Sequence, residues 1–377
     1  MRSFNKLLID ILSTILLIGV AHAQLVVQDN FTGASTSYNW KAFNGACLTA
    51  GNNTGSIPAC VGLPYYKGQT LVGGVSGLLP DPVGQGALRF TNGYTQGAPS
   101  GDFDYGFYQS GGIISNFTFP SNEGLNVTFT TVTYRGDAGG PGHEGADGIS
   151  FFLMNGAYKV YDTGAYGGSL GYSCSNVNDD QTVRPDGTIR GYDGLAGAYL
   201  GLGIDEYGNF LNPKDNTATG DGFQPHKIAM RGAGSISWAQ LSTQYPGDYP
   251  ASLPVQLQQQ AVQATCSTGM VWNYSGAFPQ ETGTSIQDYA YLPKTKVVLP
   301  ANEPIAYENA QIRSQAVPFK YRLKITPNGL LSLAYSYNGG VWQPVITDQS
   351  ITNSNGPLPS SFRFGFAGAT GGSTNIH

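Results

Sequence analysis

The chain has 377 residues, of which only 11% are charged, with 53 Gly, 23 Tyr and a formal net charge of -5. That length can bury a large core, as one large β domain or two ordinary ones. Few charges exclude long solvated helices, and scattered Lys and Arg with no basic cluster exclude a nucleic-acid backbone as partner.

The N-terminus reads as a leader. Arg2 and Lys6 make a short basic region, and residues 7–20 are apolar apart from Asp10 and a few hydroxyl residues. Ala21-His22-Ala23 is a small-x-small cleavage site before Gln24. The apolar run is too short and interrupted to make a good membrane span, and no other stretch could make one. Residues 1–23 are therefore expected to be a signal peptide. Residues 24–377 are expected to be one exported domain, secreted or at the cell surface.

Four cysteines in an exported chain imply two disulfides. Cys47 and Cys60 flank a Gly/Asn/Thr-rich loop that a local bridge would close. Cys174 and Cys266 sit in loop-like sequence, and a longer bridge between them is the favoured pairing. Spacing alone does not fix this connectivity. No pair shows the C-x-x-C spacing of zinc sites.

In chain order, a first strand is expected at residues 25–27 and 31, followed by the Cys47–Cys60 loop and a Gly/Pro-rich stretch at 62–86. Alternation predicts strands at 86–91, 105–110, 112–119 and 125–134, the last with Val127, Phe129, Thr131 and Thr133 on one face. A glycine-rich loop at 136–145 leads into an apolar strand at 149–154. Residues 164–172 form a glycine-dense loop running into another strand. Small residues in 198–204 mark a closely packed buried strand. Residues 227–231 and 235–238 are further strands. The stretch 240–318, with its glutamine run and prolines, reads as an irregular insertion. Residues 319–325 and 330–336 flank a Pro-Asn-Gly turn as a hairpin, with strands at 341–346 and 362–367. The chain reaches His377 where a loop should hand over to a closing strand. The expected fold is all-β, a jelly-roll sandwich of antiparallel sheets with long loops at one end.

Two stretches carry candidate chemistry. Asp147 stands at the mouth of the 149–154 strand, where a lone carboxylate turned into the core would cost several kcal/mol without a partner. After the 198–204 strand, Asp205, Tyr207 and Asn209 offer oxygens at alternate positions, the tyrosine through its carbonyl. A hard cation such as Ca²⁺ takes such a set, with Asp215, or Asn212 by its amide, completing the shell. An Asx-rich turn without metal has the same spacing.

These residues resemble the L-type (legume-like) lectin family, including its exported, bacterial-type members, over residues 86–238 and 319–377. The resemblance implies a concanavalin-A-like jelly roll and calcium-dependent carbohydrate binding. Ala146-Asp147-Gly148 is similar to the family's Ala-Asp-Gly strand, whose aspartate accepts sugar hydroxyls and whose Ala-Asp peptide is cis, an uncommon geometry. Residues 167–172 resemble its glycine loop, which gives Gly168 a backbone N–H for sugar. Residues 205–209 resemble its calcium loop, which gives Asp205, Tyr207, Asn209 and Asp215 to the metal. Tyr207 then also stacks on the sugar ring, and Asn209 also bonds it. Residues 364–371 resemble its last sugar loop, which places Gly372 and Ser373 near the sugar. Calcium would order Asn209 and its loop before sugar arrives.

The chain departs from the family's pattern at several points. The plant members' second, transition-metal site uses a glutamate two residues before the calcium-loop aspartate. Here that residue is Gly203, so His226, placed like that site's histidine, reads as a surface residue. Asp215 comes later than the family's final calcium ligand. The closing strand after the last loop is not in the sequence, which reads as truncated before it.

Two other function classes fit the same fold. Glycan hydrolases need paired carboxylates on one sheet face, usually in a Glu-x-Asp-x-x-Glu strand, and nothing matches. Adjacent Asp205 and Glu206 point opposite ways if extended. His143-Glu144 lacks a metalloprotease's second histidine. A structural or adhesive module could keep the fold without sugar binding. The favoured reading is a non-catalytic, calcium-assisted binder of glycans or glycoconjugates.

Overall fold

The computed structural model describes residues 26–66, 70–93, 106–137, 145–179 and 191–377. The leader with its cleavage site, Tyr105 and His143-Glu144 lie outside these.

Two antiparallel sheets pack face to face as the predicted jelly-roll sandwich. The larger runs Trp40–Phe43, Ser110–Ser115, Ser361–Ala369, Gly148–Asn155, Ala198–Asp205, Lys227–Arg231, Val297–Val298, with Phe119–Pro120 beside Ser361–Ala369. The smaller runs Gln343–Ser350, Leu330–Tyr337, Phe319–Ile325, Leu125–Thr131. Alternation in Phe319–Ile325 is strict, with odd positions buried and even ones exposed. Aromatic rings lock the layers together: Phe129 of the smaller sheet packs on Phe151 at 5.6 Å and Phe366 at 5.1 Å of the larger.

The larger sheet is buried on both faces, which explains its unbroken apolar and small residues. All eight residues of Ala198–Asp205 are buried. Phe151 and Leu153 join the core between the sheets, while Phe152 and Met154 join a second core on the outer side. What covers that outer side is largely the stretch expected to be irregular. It contains the helices Trp238–Gln244 and Val255–Thr268, the hairpin Met270–Asn273 with Gln280–Ser285, and the edge strand Val297–Val298.

Val255–Thr268 buries Gln258, Ala261, Val262, Thr265 and Cys266, a helical i, i+3, i+4, i+7, i+8 stripe. The polar members Gln258 and Thr265 hid that stripe from a hydrophobicity reading. Pro254 before the helix and Gly269 after it, in the left-handed conformation, punctuate its ends.

Both disulfides form as favoured, Cys47–Cys60 and Cys174–Cys266, and the second ties this helical cap to the glycine loop. Other expectations need correction. Residues 26–39 form no strand, and the chain first enters a sheet at Trp40. Ser237 caps the helix Trp238–Gln244, accepting from the Gln240 N–H, where a strand at 235–238 was expected. The loop at 164–172 closes in a 3-10 turn, Gly167–Ser169, and no strand follows it directly. Past the last loop, Thr374–Ile376 pairs with Thr133–Asp137 in a small third sheet.

Candidate functional site

Asp147 sits where three chain segments meet. Its peptide with Ala146 is cis. Its N–H donates to the Ala369 carbonyl at 2.7 Å, and its own carbonyl accepts the N–H groups of Glu206 at 3.0 Å and Tyr207 at 3.3 Å. Backbone bonds thus join the end of Ser361–Ala369, the start of Gly148–Asn155 and the loop after Ala198–Asp205. The carboxylate is buried, and its Oδ2 has no hydrogen-bond partner among the described residues. Gly371 makes room for it, since a Cβ there would lie 2.9 Å from Oδ2. Burial, then repulsion from Asp215 and Asp205, pushes the Asp147 carboxyl well above the usual range.

The next loop is wound around Asp205. Its Oδ1 accepts the Gly208 N–H at 2.8 Å and its Oδ2 the Phe210 N–H at 2.8 Å. Lys227, directly opposite on the neighbouring strand, brings its Nζ to 3.1 Å from Oδ2 and 3.2 Å from the Gly208 carbonyl. Both side chains are fully buried. By sequence alone Lys227 is simply the first residue of the strand Lys227–Arg231. Its lone charge ahead of the apolar Ile228, Ala229 and Met230 was the available signal.

Gly203 has a steric reason for being glycine. A Cβ there would overlap the Phe210 ring, so the glutamate of a second metal site has no space. His226 is exposed, as expected of a surface residue.

Tyr207 is half-buried and meets Phe223 edge-on at 5.6 Å, which makes a two-ring wall that the sequence did not suggest. Asn209 Oδ1 accepts from the Asn212 side chain at 2.8 Å, and the Asn209 carbonyl accepts from Asn216 at 2.6 Å. The Gly168 N–H is donated to the Asp215 carboxylate, and a Cβ at Gly168 would overlap Asn209. Burial and repulsion from Asp205 push Asp215 up to about 6. Asn178, also unforeseen, donates to the Tyr166 carbonyl at 3.0 Å and lies beside Gly167. Gly372 and Ser373 follow Gly371, and Gly372 is exposed with open space around it.

The structure therefore brings together Asp147, Tyr207 and the 370–373 loop, and separately Gly168, Asn209 and Asp215. Asp205 links the two groups through its loop. Asp205 and Asp215 raise the Asp147 pKa and Asp205 raises that of Asp215, the Lys227 ammonium pairs with Asp205, and among the described residues the buried Asp147 Oδ2 has no partner. That excess negative charge and all-oxygen donor set fit a hard divalent cation. Among the described residues, no group of three His, Cys, Asp or Glu side chains is placed to hold a metal ion by itself. The amide of Asn209 and the carbonyl of Tyr207 would have to contribute.

Behind Asp147 lies a second acidic pair. Glu206 accepts from the Asn375 side chain, and Glu308, delivered by the 240–318 stretch, accepts the Gly145 N–H and bonds Glu206. Burial pushes Glu206 up to about 7 and, with the facing Glu206, pushes Glu308 up to about 10. The pair stands between the 205–209 loop and the chain entering Asp147.

No protein-family model matches the chain, and no curated protein matches it in sequence. Among solved structures it is similar to winged bean acidic lectin complexed with methyl-α-D-galactose, at 10% identity over 93% of this chain and 94% of that one, TM-score 0.40. Lectin I-B4 from Griffonia simplicifolia in its metal-free form gives 12% identity, 77% and 84% coverage, TM-score 0.36. The Ca²⁺-bound exoplasmic/lumenal domain of VIP36 gives 10% identity, 92% and 87% coverage, TM-score 0.37. The sandwich itself is defined by the strand pairing of the two sheets.

Proposed function

We propose that the chain is an exported, non-catalytic glycan-binding protein assisted by calcium. The observation that carries this reading is the Asp147 carboxylate. It is buried, has an oxygen without a partner among the described residues, and stands in space left by Gly371 beside the Tyr207 backbone. A sugar offers paired hydroxyls to that oxygen and an apolar face to the Tyr207–Phe223 wall. Asn209 and the 372–373 loop complete the rim. Asp205, the Tyr207 carbonyl, Asn209 and Asp215 would hold calcium, which supplies positive charge and fixes the loop. With Asp215 held by calcium, the Gly168 N–H would be available to a sugar hydroxyl. Two disulfides support export, and no helix among the described residues is long and apolar enough to cross a membrane.

A glycan array run with calcium and with EDTA tests this reading. Signal lost in EDTA and in Asp147→Ala supports it, whereas equal signal with and without EDTA sinks the calcium role. A structural or adhesive module without sugar binding is the second reading, favoured by the Gly168 N–H already held by Asp215. It predicts a silent array.

A further inference from the structure

The outer face of the four-stranded sheet carries a row of cations that its neighbours do not neutralise. Lys320, Arg322 and Lys324 are the exposed positions of Phe319–Ile325. The strand register sets Lys320 between Thr130 and Ser336, Arg322 between Thr128 and Ala334, and Lys324 between Asn126 and Ser332. Every one of those neighbours is uncharged. Among the described residues, the buried and surface ion pairs involve other cations. Asp348, two strands away, hydrogen-bonds Ser332. Alternate residues of a strand lie about 7 Å apart, so the row spans about 14 Å. Beside it the Arg322 guanidinium lies 4.6 Å over the Trp342 ring, which is itself exposed. The sequence suggested no basic cluster because these charges alternate with buried residues.

We propose that this face is a docking surface for an acidic polysaccharide, a chain of uronate sugars lying along Phe319–Ile325. Charge complementarity carries the choice. A row of cations attracts a polymer that carries a carboxylate on each sugar, and the Thr, Ser and Asn neighbours donate to hydroxyls. Trp342 offers a ring for stacking on a pyranose face. A net charge of -5 on the whole chain gives no general attraction for polyanions, so the contact must be local. This surface lies on the opposite sheet from Asp147 and does not depend on that site.

The test is binding of the full chain to immobilised polygalacturonate at 50 mM NaCl, with fully methyl-esterified polymer as the neutral control. The proposal expects retention by polygalacturonate alone, weakening steeply toward 300 mM NaCl. The triple variant Lys320→Gln/Arg322→Gln/Lys324→Gln should bind at least tenfold more weakly with an unchanged melting temperature. Trp342→Ala should bind severalfold more weakly with the same salt slope. Wild-type binding by the triple variant, equal binding to the esterified polymer, or no retention would overturn it. So would capture by phosphatidylserine vesicles with none by polygalacturonate, which would assign the face to membranes.

Discussion

Lys227 and the Lys320-Arg322-Lys324 row show how differently one protein uses the same charge. Lys227 is fully buried, bonds Asp205 and a loop carbonyl, and fixes the turn that presents Tyr207 and Asn209. The outer row is exposed on a sheet whose packing it does not touch. A buried charge is held by structure and in turn holds structure, while an exposed one is free for partners.

The largest effect should come from breaking the buried pair. Lys227→Met leaves Asp205 without its counter-charge and should cost about 3–5 kcal/mol in urea unfolding. Lys227→Met with Asp205→Asn should recover much of that loss. A double mutant as unstable as the single would show that packing, not charge, sets the role of Lys227.

The Cys174–Cys266 bridge links residues 92 apart, and Cys174→Ser with Cys266→Ser should cost about 2–4 kcal/mol by restoring conformational freedom to the unfolded chain and untying the helical cap in the folded one. Loss confined to the 240–290 region in hydrogen exchange would locate the effect.

The Glu206–Glu308 pair should give a smaller, pH-dependent effect. Its folded pKa values are raised, so its contribution is complete below about 4.5 and is lost as pH rises, through about 7 for Glu206 and about 10 for Glu308. Stability should therefore fall between pH 5 and 8 by an amount on the order of 1–2 kcal/mol. Glu308→Gln should flatten the profile, and an unchanged slope would exclude the pair as its source.

The smallest effect should come from the outer row. Each single Gln replacement there should change stability by less than about 0.5 kcal/mol. A loss above about 1 kcal/mol would show that the row does structural work and would weaken the contrast with Lys227.

Much of this was legible in the chain. Period-two alternation predicted Phe319–Ile325 to the residue, and the run 149–154 and the small residues of 198–204 announced the central strands. Asp147, Tyr207 and Asn209 could be named because short-range pattern carries them. The helix Val255–Thr268 was hidden because two of its five buried positions are polar. They are accepted there because each finds a partner, Gln258 in the Leu253 carbonyl and Thr265 in the Tyr249 hydroxyl.

By itself, the sequence determined the all-β class, most strand positions and Asp147 as the aspartate of the candidate site. These depend on side-chain period and on backbone geometry that neighbours in the chain impose. The tertiary structure alone decided which cysteines would pair, that Lys227 would face Asp205, that Gly203 must admit Phe210, that Gly168 would meet Asp215, and that three alternating cations would share a face with uncharged cross-strand neighbours. Each of those depends on register between strands or on contact between loops distant in sequence. No local pattern encodes such a contact, because its energy arises only when the sheets close.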